Sequence, residues 1–143
     1  MSKGFIGMGV MGFPMAGHLS LNGFDVCIFN RSQEKASNWV TQFNGIMCNS
    51  PSDMASQCDI IILCVGKDED VKDVICGENG ILKSIKPGTI IIDHTTTSAT
   101  LAKDMNQILQ DKKAYFLDAP ISGGQAGAEE GKLSVMVLSL IHI

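Results

Sequence analysis

No apolar run in this 143-residue sequence approaches the length of a membrane span, no two of its five cysteines stand at CxxC spacing, and no internal repeat or low-complexity linker interrupts it. The first absence argues for a soluble chain, since a spanning helix needs about 20 consecutive apolar residues. The second argues against a metal or redox centre. The cysteines (Cys27, Cys48, Cys58, Cys64 and Cys76) are odd in number and mostly sit beside apolar strand residues. They read as reduced core thiols of a cytoplasmic protein. An excess of positive charge is also missing: the formal net charge of -4 argues against nucleic acid as the main partner, while a local basic pocket for a phosphate remains compatible with it. No signal peptide is expected, because an apolar strand follows the first methionine almost at once. What the chain has is 45% hydrophobic and 18% charged residues, the balance of one globular domain with a core of its own.

The most informative stretch is Phe5 to Met15, where three glycines, Gly7, Gly9 and Gly12, form a GxGxxG pattern. In a dinucleotide fold Gly7 makes the tight turn, Gly9 admits a pyrophosphate to the backbone and Gly12 lets the helix press on the sheet. The helix N-terminus adds unpaired amides and a partial positive charge. Three glycines alone also occur in ordinary loops. Here they follow the apolar Gly4 to Ile6 and open a helical segment, Val10 to Leu21, which Gly23 ends before a second strand, Phe24 to Phe29. Strand, glycine turn, helix and strand is the order the motif requires.

The alternation continues down the chain. Helical composition at Gln33 to Phe43 precedes a short strand at Ile46 to Cys48, and Ser50-Pro51 with Asp53 resembles a capping box. Asp59 to Val65 is an unbroken apolar run suited to a parallel strand buried on both faces. Lys67 to Ile75 suits a helix, Thr89 to Asp93 a strand, Ser98 to Gln110 a helix and Ala114 to Asp118 a strand. The expected fold is α/β, a Rossmann-type doubly wound parallel sheet.

Ligands in such sheets lie beyond the carboxyl ends of the strands. After the second strand, an NAD site usually presents an acidic residue to the adenosine ribose, but this chain has Asn30, Arg31 and Ser32. A carboxylate repels a 2'-phosphate, whereas an amide, a guanidinium and a hydroxyl accept one, so the chain leans toward NADP. Alternatively these are a turn residue, a solvated charge and a helix cap. Further on, Thr95, Thr96 and Thr97 either face a nicotinamide or cap the next helix, and His94 beside them is expected to be structural. Asp118 to Leu133 carries Ser122, Gly123 and Gly124, a hydroxyl and exposed amides suited to a carboxylate, or else only a flexible glycine loop.

Two motifs carry a family resemblance. Phe5 to His18, with Met11, Met15 and Ala16 as well as the glycines, and Asp118 to Val137, with DAPISGG and GAEEGKLSVMV, resemble the N-terminal domain of the beta-hydroxyacid dehydrogenases, which include 3-hydroxyisobutyrate dehydrogenase and tartronate semialdehyde reductase. The resemblance covers Lys3 to Val137 and implies an NAD(P)-binding domain over residues 1–137. It implies cofactor contacts at Gly7, Met8, Gly9, Val10, Met11, Gly12, Asn30, Arg31 and Ser32, with Cys64, Val65 and Thr96 at the nicotinamide end. It places the substrate carboxylate at Ser122 to Gly124, and the substrate as a small hydroxy acid or semialdehyde in a homo-oligomeric parent enzyme.

The family's catalytic lysine and a supporting asparagine lie on helices that follow this domain, so no catalytic residue is expected in the chain itself. In relatives a Gly-Gly turn follows the match to Val137, but here Leu138 to Ile143 stands instead and resembles one reading frame of a sequencing-library adapter. The expectation is a non-native tail over 138–143, against a divergent apolar strand. A second functional class is a non-catalytic NADP-binding module, since the resembling family includes chromatin readers with an inactive domain.

Overall fold

The structure, a computed structural model, describes residues 2–139. Along the chain β1 (Ser2–Ile6), α1 (Gly12–Leu21), β2 (Val26–Phe29), α2 (Gln33–Gln42), β3 (Ile46–Met47), α3 (Pro51–Ala55), β4 (Cys58–Leu63), α4 (Asp68–Cys76), β5 (Ile90–Asp93), α5 (Ala99–Gln110) and β6 (Tyr115–Asp118) alternate as the sequence pattern demands. They are followed by β7 (Ile121–Ser122), α6 (Gly124–Glu130), β8 (Ser134–Val135) and β9 (Leu138–Ser139).

The first six strands are parallel and lie in the order β3-β2-β1-β4-β5-β6. The order reverses direction between β1 and β4, and that switch point is where a crevice opens above the strand ends. Beyond β6 lies β9, antiparallel, pairing Leu138 with Asp118 and Ser139 with Leu117. These two residues begin the 138–143 stretch expected to be non-native, and the rest of it lies outside the described residues. The β7–β8 pair forms a separate small ribbon in register Ile121 to Val135 and Ser122 to Ser134.

Side chains alternate across the sheet, and each face has its own core. One face buries Ile6, Cys27, Ile61, Leu63, Ile91 and Phe116 against α3, α4 and α5. Fully burying side chains of this size contributes about 1.5–3 kcal/mol each. The other face buries Phe5, Val26 and Ile28 beneath α1 and α2, with Trp39 at the centre. The expected two-sided burial of β4 holds on the first face only. Because α1 and α2 sit over β1 and β2, Ile60, Ile62, Ile90, Ile92 and Leu117 on the second face are half-buried and Tyr115 is exposed.

Local signals account for most element ends. Ser50 Oγ accepts the Asp53 N–H at 3.0 Å, as a cap should, while Asp53 Oδ2 accepts from Asn49 N–H at 3.1 Å, one residue further back than in a true capping box. Gly23 has φ +91°, the left-handed turn that stops α1. The β4 ladder ends at Leu63 rather than Val65, because the Val65 N–H turns to a side chain, the Thr95 hydroxyl, at 3.0 Å.

Trp39 is wholly buried, donates its indole N–H to the Phe13 carbonyl at 3.2 Å and lies against Phe43 with ring centroids 5.3 Å apart. Trp39→Ala is expected to remove about 3–5 kcal/mol of unfolding free energy, read from urea denaturation. A loss below about 1 kcal/mol would show that α2 does not depend on this packing.

Candidate functional site

The carboxyl ends of β1, β2 and β4 open onto a groove of about 930 Å³. The glycine turn forms its floor. Gly7 has φ +106°, and a Cβ there would collide with the Cys64 carbonyl, while a Cβ on Gly12 would collide with the carbonyl of Gly7. Both positions therefore need glycine for close backbone approach. Gly9 differs, because a Cβ on it meets no protein atom and would stand in open space. Among the described residues the N–H groups of Gly9, Val10 and Met11 have no protein acceptor, and they lead directly into α1. An open cradle with free amides at a helix N-terminus suits an anionic pyrophosphate. The chain's own residues thus fit a dinucleotide.

Of the residues expected at the cofactor, the groove brings together Gly7, Gly9, Val10, Met11, Gly12, Asn30, Arg31, Ser32, Cys64 and Val65. Met8 is buried in the core, and its N–H is used internally, donating to Asn30 Oδ1 at 2.9 Å. Asn30 Nδ2 donates to the Ser32 carbonyl at 3.1 Å, so this side chain clamps the glycine turn to the end of β2. The Ser32 hydroxyl makes no capping bond to α2. Thr96 is exposed and is not among the groove-lining residues.

Two further features escape a reading of the sequence alone. Lys35 lines the groove from the first turn of α2, and nothing in the sequence pattern singles it out. The opposite wall, from α4 and the turn after it, carries Asp70, Asp73 and Glu78. Nothing local in the sequence announces that one of these acids meets Arg31. Asp70 does so across the groove, its Oδ1 2.8 Å from Arg31 Nη2.

At the other end of the groove a polar brace joins β4 to β5. Asp93 is fully buried and its Oδ1 accepts the Thr95 N–H at 2.9 Å, while Thr95 Oγ1 accepts the Val65 N–H. Asp93 Oδ2 and Thr97 Oγ1 are buried with no hydrogen-bond partner among the described residues. Burial pushes the Asp93 carboxyl up to about 6, with bonds from Thr95 opposing the shift and the charge of Asp118 adding to it. Burial, and then the charge of Asp93, pushes the Cys64 thiol up to about 11, which leaves it neutral. His94, expected to be structural, donates from Nδ1 to the Ala119 carbonyl at 2.6 Å. Ser98 caps α5, accepting the Leu101 N–H at 3.1 Å. The thiols follow the expectation in part: Cys27, Cys48 and Cys58 are buried and Cys64 half-buried, but Cys76 is exposed at the end of α4.

The second expected cluster, Ser122 to Gly124, does not line the groove. Gly123 and Gly124 adopt φ of +133° and +63°, a turn that only glycine makes without strain. The helix that follows is tied to α1 by His18, whose Nε2 lies 3.0 Å from the Ala128 carbonyl and 2.9 Å from that of Glu129.

Sheet order, glycine turn and groove together define a dinucleotide-binding domain of the doubly wound class. The chain belongs to the family described as the NAD binding domain of 6-phosphogluconate dehydrogenase, whose model matches residues 2–139. It is 50% identical over 133 residues to an uncharacterized oxidoreductase of Shewanella frigidimarina, covering 93% of this chain and 46% of that protein. It is 36% identical to the probable mitochondrial 3-hydroxyisobutyrate dehydrogenase of Dictyostelium discoideum, covering 94% of this chain and 41% of the relative. Among solved structures, Mycobacterium tuberculosis 3-hydroxyisobutyrate dehydrogenase with L-serine superposes at TM-score 0.86 and 30% identity, over 95% of this chain and 45% of that one. Psf3 in complex with NADP+ and 2-OPP superposes at TM-score 0.90 and 27% identity, over 98% and 49%. The chain thus spans about half the length of the curated relatives it matches. No described helix is long and apolar enough to cross a membrane, and no group of metal-binding side chains occurs among the described residues.

The Asp93 brace has a pH signature. A carboxyl whose pKa rises from 3.8 unfolded to about 6 folded favours folding most below pH 4, and that advantage is lost as pH climbs through 6. Asp93→Asn removes the titration while keeping an Oδ1 acceptor. Between pH 4 and 7.5 the wild type is expected to lose about 2–3 kcal/mol relative to the variant in urea unfolding. Parallel pH profiles for the two proteins would refute the assignment.

Proposed function

We propose that this chain is the cofactor-binding part of an NADP-dependent oxidoreductase acting on small 3-hydroxy acids or their semialdehydes. The observation that carries the cofactor assignment is the end of the groove beyond β2, where Arg31, Ser32 and Lys35 line the wall and no carboxylate occupies the strand end. A 2'-phosphate there meets a guanidinium, an ammonium and an unused hydroxyl, and hydrogen bonds to charged groups contribute roughly 1.5–3 kcal/mol. The relatives' names support the substrate class, and the turn at Ser122 to Gly124 offers amides and a hydroxyl to the substrate's carboxylate.

The nicotinamide, when bound, supplies the hydride-transfer chemistry. The residues of this chain hold and orient it: the glycine turn at the pyrophosphate, Asn30 keeping that turn against β2, and the Thr95 hydroxyl fixing the Val65 end of the groove. Proton transfer at the substrate oxygen needs a positioned acid or base, which contributes about 10²- to 10⁴-fold. Among the described residues Lys35 is the one lysine lining the groove, at its adenosine end, and His94, whose Nδ1 is held by the Ala119 carbonyl, does not line it. The purified chain is therefore expected to bind cofactor but show no turnover of 3-hydroxyisobutyrate with NADP, in an absorbance assay that follows the reduced nicotinamide. Turnover near that of an intact dehydrogenase would show that a proton donor lies within this domain.

Cofactor choice has a direct test. NADPH is expected to bind about ten- to a hundred-fold more tightly than NADH at low salt, by fluorescence titration. Asn30→Asp with Arg31→Ala should invert that preference, since the new carboxylate repels the phosphate, accepts from a free ribose and can still hold the Met8 N–H. A wild type that favours NADH, or a double variant with an unchanged ratio, would overturn the NADP assignment.

A further inference from the structure

The groove is electrically divided. Arg31 and Lys35 stand on the wall from β2 and α2, and Asp70, Asp73 and Glu78 on the wall from α4. The Arg31–Asp70 ion pair at 2.8 Å is the point where the two walls meet. Asp70 is mostly covered, with 18% of its side chain exposed, whereas the Arg31 side chain is 81% exposed. The carboxylate is therefore the fixed partner and the guanidinium the movable one. A pair so exposed on one side is weakly held and readily exchanged.

We propose that Asp70 is a cofactor-discriminating residue, a counter-anion that holds Arg31 across the groove and competes with the ribose 2'-phosphate for its guanidinium. The inference rests on the NADP assignment above and adds to it a residue on the opposite wall. A 2'-phosphate carries more negative charge than a carboxylate and offers three acceptor oxygens, so it wins the exchange. Its net gain is reduced by what Asp70 already supplied to Arg31, and by repulsion from a carboxylate left within a few ångströms. A dinucleotide without the phosphate leaves the ion pair undisturbed. Asp70 thus moderates the preference that Arg31 creates, and its effect falls on one cofactor of the two.

The test is binding of NADPH and NADH to this chain by fluorescence titration, at low and at high KCl, for wild type, Asp70→Asn and Glu69→Gln. Glu69 is exposed on the same turn of α4 and does not line the groove, so its variant removes an equal charge without touching Arg31. Asp70→Asn is expected to tighten NADPH about three- to ten-fold and NADH less than two-fold, with the difference shrinking at high salt. Glu69→Gln should leave the ratio within two-fold (roughly the residue of long-range screening). Weaker NADPH binding in Asp70→Asn would mean that the carboxylate prepares Arg31 rather than competing for it. An equal change for both cofactors, or an equal change in Glu69→Gln, would reduce the pair to general groove electrostatics. Each of these results overturns the inference while leaving a wild-type NADPH preference intact. Conversely, a wild type favouring NADH refutes the NADP assignment, and the response of Asp70→Asn then still decides whether Asp70 withholds Arg31 from phosphate.

Discussion

Three backbone segments converge at the head of β1 more closely than any side chain allows. The Gly7 amide donates to Phe29 at the end of β2, and its α-carbon faces the Cys64 carbonyl at the end of β4. Gly12, at the start of α1, closes over the Gly7 carbonyl. Because β1 is central, these contacts set the spacing of the strands on either side, the angle at which α1 sets off and the depth of the groove. The free amides that follow Gly7 point outward because the chain has to turn there, and the anion cradle is a by-product of that packing.

Asn30 extends the same constraint to the next strand. Its carboxamide holds Met8 N–H on one side and the Ser32 carbonyl on the other, so the end of β2 and the glycine turn move as one. An acidic residue at this place could still accept from Met8 but could not donate to Ser32. The structural role of this side chain thus falls at the position proposed to select the cofactor. Arg31 is left to act as the adjustable element, and the groove's charge is balanced by acids from α4 rather than by solvent alone.

The brace between β4 and β5 follows a different logic. Thr95 substitutes its hydroxyl for the ladder bond that β4 gives up at Val65, and Asp93 holds Thr95 in place from inside the core. A buried carboxyl beside Asp118 is costly when ionised. It persists at the strand ends where the doubly wound fold gathers its ligand contacts.

Much of this was legible in the chain itself, wherever a local physical rule applies. The GxGxxG spacing with flanking strands, the Ser50-Pro51 start of α3, the Ser98 cap and the apolar run at Ile60 to Leu63 each carry their own reason, and they determined the element order and the fold. The groove's glycines followed from the same motif and Asn30, Arg31 and Ser32 from the end of the second strand, whereas Met8 turned inward to the core. The Arg31–Asp70 meeting did not, since its partners are 39 residues apart and only the β1–β4 switch point brings α4 over the end of β2. Thr95 could not be told from Thr96 by composition, because which hydroxyl reaches Val65 depends on how the chain leaves β5. Nor could the apolar run reveal that one face of β4 is half-covered, because an isoleucine's burial is decided by which helix lies over it, and α1 and α2 belong to β1 and β2.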